Sequence, residues 1–316
     1  MRRPFHYLFK IGVITGVLCL SHIAIFGQNN SNVPLYLDSD ASIEKRVEDL
    51  LSRMTLEEKI GQLNVPRPRM VKLEHDSEFE GCVHFVKGTL LNNIGPGGGI
   101  KSIRDNVRNE VEFINKLQKV AVEDTRLKIP LLNIEEGEHG VMTTGCTVFP
   151  LGASIGSTWN IDLISDIYEA VAREARALGV HMICIVGMEP NRDPRLGRNE
   201  HGWSEDPYMC SILSETVVKA VQGYDLSSND KAITLLSHFP GQSQPVAGLE
   251  RGAMEISERM LREVFLPPWI SAITKAGGLA VMATYPAIDG IPAHASKELM
   301  LDLLCGELGF KGVVTS

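Results

Sequence analysis

Residues 161–186 read IDLISDIYEAVAREARALGVHMICIV, and two patterns meet inside them. Up to Leu178 the apolar residues recur at three- and four-residue intervals, the spacing of an amphipathic helix. After Gly179 the pattern changes to a short apolar run, Met182–Val186, closed by Gly187, which is the signature of a buried strand. The same alternation runs outward in both directions. Strands are expected at Leu131–Ile134, Ile233–Leu236, Leu279–Ala283 and Val313–Thr315, with helices over about 107–125, 206–223, 257–275 and 297–307. Strands that are apolar throughout and separated by helices predict an α/β fold with a parallel sheet or barrel.

Polar residues gather just after those strands: Glu135 and Glu136, the loop from Asn191 to Arg198, Ser237 and His238, then Thr284 and Tyr285. Strand C-terminal ends carry the active site of a β/α barrel and the ligand crevice of a doubly wound sheet alike, so the pattern locates a site before it decides between the two folds. On the N-terminal side, SIEKRVEDLLSRMTLEEKIGQL has helical spacing with Ser42 as its cap. Residues 65–105, with GPGGG at 95–99, read as a long loop with little regular structure.

The first 28 residues contain no acidic side chain. Arg2, Arg3 and Lys10 precede an apolar run from Ile11 to Phe26 that is shorter than a membrane span, and Gly27 offers a small residue for cleavage. The expected organisation is a signal peptide over 1–28, a polar linker over 29–41 and a barrel over 42–316, in an exported protein, periplasmic or secreted, with no membrane association after cleavage. The formal charge of −8 over 316 residues becomes −11 without the three leader bases, which excludes nucleic acid as a natural partner. Once the leader with Cys19 is removed, five cysteines remain, Cys82, Cys146, Cys184, Cys210 and Cys305, odd in number and without CxxC spacing, so buried thiols are expected rather than a zinc site, and no metal or organic cofactor is implied.

Glu136 and His139, in IEEGEHG, lie just past a strand, where a carboxylate accepts hydrogen bonds from two sugar hydroxyls or forms a loop ion pair. The stretch MEPNRDPRLGRNEHGWSEDPY, residues 188–208, is dense in charge for a loop of its length. Its arginines can fork onto ligand oxygens or lock neighbouring carboxylates. Ser237 and His238 precede a Pro-Gly turn, and Tyr285 offers an aromatic face with a hydroxyl.

Taken in order, RVEDLLSRMTLEEKIGQL, EEGEHG, GCTVFPLGASIGSTWN, RDPRLGRNEHGWSEDPY, SHFPG, ISERMLREVFLPPW, MATYPAIDGIPAHAS and LLCGELGFKGVVTS resemble the N-terminal barrel of glycoside hydrolase family 3, the β-glucosidase and β-xylosidase group. The resemblance implies an incomplete (β/α)8 TIM-like barrel lacking its last strand and helix unit. It implies a parent that is a retaining exo-β-glycosidase, β-glucosidase in preference to β-xylosidase, acting on a β-linked oligosaccharide or glycoside. By the same resemblance Glu136 holds sugar hydroxyls, Arg198 and His238 bind the sugar at the cleavage subsite, and Tyr285 stands beside the nucleophile. Ser237 occupies a position that is usually Lys, which leaves a catalytically inactive carbohydrate-binding relative as the alternative. The family's nucleophilic aspartate would follow Ser316 and its acid/base would come from a second, α/β sandwich domain. Both catalytic carboxyls are thus expected outside the chain, which should bind but not hydrolyse. The Asp and His pair of the N-acetylhexosaminidase branch has no counterpart in QSQPVAGLERG, which contains no His. Schiff-base chemistry would need a Lys at a strand end, and these strands offer none.

Overall fold

The structure is a computed structural model that describes residues 33–72, 74–90 and 95–316. The expected signal peptide and residues 29–32 of the expected linker lie outside the described residues. Contacts divide the chain into two compact units, 1–53 and 54–316.

In the first unit, helix α1 (Ile43–Arg53) follows a short 3-10 turn at Leu35–Leu37. Asp49 joins the two: it accepts from the Tyr36 backbone N–H at 3.0 Å and pairs with Arg53 one turn on, at 2.9 Å. Ile43, Val47 and Leu51 share one face of α1 and are exposed.

The second unit begins with α2 (Leu56–Gln62). The helical pattern of 42–63 is broken at Met54 and Thr55, because Thr55 and Glu58 form a capping box that starts a new helix. Next come α3 (Pro68–Val71) and α4 (Glu78–Lys87), so the expectation of a loop with little regular structure over 65–105 is corrected. Ser77 and Glu80 build a second capping box, and Gly88, at φ 70°, ends α4 in the left-handed conformation. Cys82, Phe85 and Val86 of α4 pack with Ile100, Leu117, Ala121 and Leu131. The glycines of 95–99 serve close approach: a Cβ on Gly98 would lie 2.0 Å from the Gln62 carbonyl oxygen, and one on Gly99 1.9 Å from that of Leu132.

The remaining helices are α5 (Val107–Glu123), α6 (Gly152–Gly156), α7 (Ile161–Ala177), α8 (Pro207–Gln222), a continuous helical stretch α9 (258–275) that contains π-helical turns, and α10 (Glu298–Glu307). Between them run β1 (Ile134–Glu136), β2 (Met182–Val186), β3 (Ile233–Phe239), β4 (Ala280–Ala283) and β7 (Val313–Thr315), with a small antiparallel pair, β5 (Ala287–Ile288) and β6 (Ile291–Pro292). The main sheet is entirely parallel in the order β1-β2-β3-β4-β7, and Lys101 bridges to Ile134 on the β1 side. Each main strand pairs with the next one in the chain. A doubly wound sheet reverses direction at a switch point, and this one does not, so the described residues form an arc of a β/α barrel.

Alternate strand residues sort into two cores. Ile183, Ile185, Leu236 and Val281 face the helices and pack with Tyr168 and Val171 of α7, Leu213 and Val217 of α8, and Phe265 and Trp269 of α9. Met182, Cys184, Leu235, Ala280 and Met282 form the inner core. Burial on both faces is why these strands read as unbroken apolar runs. The five cysteines among the described residues are free thiols. Among the described residues no helix is long and apolar enough to cross a membrane.

Candidate active site

The register brings the strand ends to one rim: Glu136 pairs with Cys184, Val186 with Ser237, and Ser237 with Met282. Arg198, Ser237 and His238 line one cleft, with Glu189, His201 and Gln242. Tyr285 stacks against His238 with ring centroids 4.6 Å apart. Glu136 stands at the end of β1 and is not among the residues lining this cleft.

Burial, and then the nearby positive charge of Arg198, push the His238 imidazole down to about 3, so it is neutral near pH 7. A neutral imidazole both donates and accepts, which suits a hydroxyl-rich ligand. Ser237 precedes it through a cis peptide bond. The Ser237 side chain is buried, with its hydroxyl 3.1 Å from the Cys184 sulfur and 3.9 Å from that of Met282. It therefore offers neither the charge nor the reach of a lysine.

Glu136 is held by two arginines that sequence reading did not single out. Arg104 Nη2 lies 3.0 Å from one carboxylate oxygen and also donates to the buried Glu135 at 2.8 Å, while Arg67 approaches the other Glu136 oxygen at 3.6 Å. Glu136 is thus fixed in orientation, with its carboxylate still about one-third exposed.

The three arginines of the 188–208 loop have separate fates. Arg195 is locked onto Asp193 at 2.7 and 2.9 Å, and Arg192 donates to the Glu205 backbone carbonyl at 3.3 Å. Arg198 reaches across to the loop after β3, where Glu250 Oε1 lies 2.6 Å from Nη1. The next residue, Arg251, sits 5.1 Å from the centre of the Tyr285 ring. Two neighbours on that loop therefore contact two rim residues, a role that no local spacing announced.

Glu189 ties the cleft together from behind. Its carboxylate accepts from the Gly241 backbone N–H and from Trp269 Nε1 at 2.9 Å, and the Ser243 hydroxyl lies 3.5 Å away. Burial raises its carboxyl to about 7 against the lowering effect of those donors. His139 lies next to Glu138, and Glu138 comes within 2.9 Å of His201 Nδ1, although the two atoms are not aligned for a hydrogen bond. Among the described residues no group of His, Cys, Asp and Glu side chains could hold a metal ion.

The parallel strand order and the cleft at the strand ends define a β/α-barrel domain with its candidate site at the C-terminal rim. Residues 55–316 match the glycosyl hydrolase family 3 N-terminal domain, and the chain belongs to that family. It is 31% identical to a putative β-xylosidase of Formosa agariphila, over 98% of this chain and 40% of the relative. It is 32% identical to the periplasmic β-glucosidase of Salmonella typhimurium, over 85% of this chain and 32% of that protein. Among solved structures, a β-glucosidase of Erythrobacter marinus matches with a TM-score of 0.78 at 30% identity, over 89% of this chain and 37% of its own. A Listeria innocua β-glucosidase variant in complex with laminaribiose matches with a TM-score of 0.75 at 30% identity, over 87% and 37%. These relatives are glycoside hydrolases, and the chain spans well under half of their length.

Proposed function

We propose that the parent protein is a retaining exo-β-glycosidase, with β-glucosidase favoured over β-xylosidase, and that residues 54–316 supply its sugar-binding rim. The observation that carries this reading is the meeting of Arg198 and His238 at one strand-end cleft, with Tyr285 packed against His238 and Glu136 on the same rim. Arg198 forks onto sugar oxygens, neutral His238 exchanges hydrogen bonds with a hydroxyl, and Tyr285 presents a face to the ring. Retaining hydrolysis needs a nucleophile and an acid/base carboxyl about 5–5.5 Å apart. The carboxyls at this rim are committed elsewhere: Glu136 to Arg104 and Arg67, Glu189 to Gly241 and Trp269, and Glu250 to Arg198. The 316-residue chain therefore binds a β-glycoside without cleaving it. Calorimetric titration with glucose, xylose and isofagomine tests the reading. Saturable binding that weakens at least tenfold in Arg198→Ala supports it, and an unchanged affinity in that variant overturns it. Release of nitrophenol from an aryl β-glucoside by the chain overturns the non-hydrolytic part.

The buried Ser237, in place of a reaching cation, favours a second reading in which the parent binds carbohydrate without catalysis. A parent that binds these sugars yet turns over no aryl β-glucoside would establish it. Export is proposed on the basic, then apolar, first 28 residues and is supported by the periplasmic name of the Salmonella relative. Mature protein that retains its first 28 residues in the cytoplasm would refute it.

A further inference from the structure

The buried face of α5 carries Ile114, Leu117 and Ala121 at three- and four-residue spacing, and one turn earlier the same stripe carries Glu110. Glu110 is fully buried and does not line the Arg198 cleft. An apolar residue there would continue the stripe without desolvating a carboxyl, so the acid depends on the hydrogen bonds that its oxygens accept. Oε2 accepts from the Ser102 hydroxyl at 2.7 Å and Oε1 from the Ile103 backbone N–H at 3.3 Å. Burial pushes the carboxyl up, and those two donors act against it.

The chain of hydrogen bonds continues toward the rim. Ser102 Oγ donates to Glu110 and in turn accepts from the Arg104 backbone N–H at 2.9 Å. Arg104 has φ 57°, in the left-handed region that a residue with a long side chain disfavours, so the turn needs support from outside itself. From this turn the Arg104 guanidinium is shared between the buried Glu135 at 2.8 Å and Glu136 at 3.0 Å. The second oxygen of Glu135 is buried without a hydrogen-bond partner among the described residues, so a two-handed grip on Glu135 would draw the arginine off Glu136. The position of the Arg104 backbone decides between the two. We propose that Glu110 is a positioning residue for the sugar site: through Ser102 and the left-handed turn it fixes Arg104, and so the direction in which Glu136 presents its carboxylate to a sugar. Glu110 itself touches no ligand. The proposal rests on the sugar-binding reading of the rim.

The test combines calorimetric titration of the 316-residue chain with glucose and the solvent exchange of the Arg104 Nε–H, read by NMR. That N–H donates to Glu135 at 3.3 Å. Two variants break the chain at different links. Glu110→Gln keeps the shape but leaves an acceptor at only one of the two oxygen positions, and Ser102→Ala removes the step between Glu110 and Arg104. Each is expected to weaken glucose binding about fivefold or more and to speed Arg104 Nε–H exchange about tenfold or more. In an Arg104→Ala background, itself weakened, neither is expected to weaken glucose binding further, because the arginine through which they act is gone. A role confined to stability would lower the urea midpoint and leave both readouts unmoved. Unchanged glucose affinity in both variants, an affinity loss that persists in full beside Arg104→Ala, or unaltered exchange overturns the proposal. If the unaltered chain binds no sugar, the sugar-binding reading falls by itself and the exchange rate decides. Faster exchange in both variants then upholds the hold of Glu110 on Arg104, and unaltered exchange removes it.

Discussion

At the scale of single residues, the rim depends on side chains whose shape matters as much as their charge. Arg198 offers a planar fork, and one arm is already engaged by Glu250. Arg198→Lys keeps the charge but can neither fork nor hold Glu250 in the same geometry. It should weaken sugar binding about tenfold or more, a loss of about 1.4 kcal/mol or greater, read by the titration used for Arg198→Ala. His238 leads to a prediction about pH. Its pKa falls from 6.5 to about 3 on folding, so between those values the unfolded chain binds a proton that the fold rejects. Stability is therefore complete above pH 6.5 and declines as the pH falls through that window. Glu189 acts in the opposite sense: raised from 4.5 to about 7, it makes the fold bind the extra proton, so stability declines as the pH rises from 4.5 to 7. The two slopes oppose each other between pH 4.5 and 6.5 and are separable by substitution. Urea unfolding across pH should show a shallower acid limb in His238→Gln and a shallower decline towards neutrality in Glu189→Gln. Unaltered pH profiles in both variants would refute the assignment.

At the scale of elements, the capping box of α4 is a local device with a measurable effect. Ser77→Ala removes the acceptor for the Glu80 backbone N–H and should cost about 1 kcal/mol in urea unfolding, with no change in sugar affinity, because α4 packs away from the Arg198 cleft. The same element marks where sequence reading succeeded and where it did not. β2, β3, β4, β7 and the long helices from 107 onward were legible because burial on both faces writes a strand as an apolar run and burial on one face writes a helix at three-to-four spacing, whereas β1 runs over Ile134–Glu136 rather than the expected Leu131–Ile134, so that Glu135 and Glu136 end the strand instead of following it. Residues 65–105 misled because Pro, Gly and charge diluted that periodicity, although the S-x-x-E of Ser77–Glu80 was present as a helix start. T-x-x-E at Thr55–Glu58 likewise marked the break between α1 and α2. At the candidate site, the sequence could place Glu136, His238 and Tyr285 at or just past strand ends and Arg198 in the charged loop after β2, because each follows an apolar run. Their partners were not: Arg104 meets Glu135 across 31 residues and Arg198 meets Glu250 across 52, pairings set by the fold rather than by any local period. The choice between barrel and doubly wound sheet also waited for the strand order, since both put polar residues after apolar runs.

At the scale of the whole molecule, what matters is how a parallel sheet treats its edges. β7 pairs with β4 on one side, and among the described residues it has no strand on the other. Its two valines point to opposite faces: Val313 registers with Ala280 of the inner core and Val314 with Val281 of the helix-facing core. The β4 partners are fully buried, whereas Val313 and Val314 remain 51% and 44% exposed. Unpaired backbone donors and acceptors flanked by exposed β-branched side chains make a template for strand addition by a second chain. The 316-residue chain should therefore self-associate as its concentration rises, with sedimentation velocity showing a shift to larger species. A charge placed on that edge opposes pairing, so Val314→Lys should hold the chain in its smaller form at concentrations where the unaltered chain associates. Sugar affinity should be unchanged, because Val314 faces away from the rim cleft. A chain that stays monomeric across the concentration range, or association untouched by Val314→Lys, would show that the β7 edge is not the surface through which copies meet.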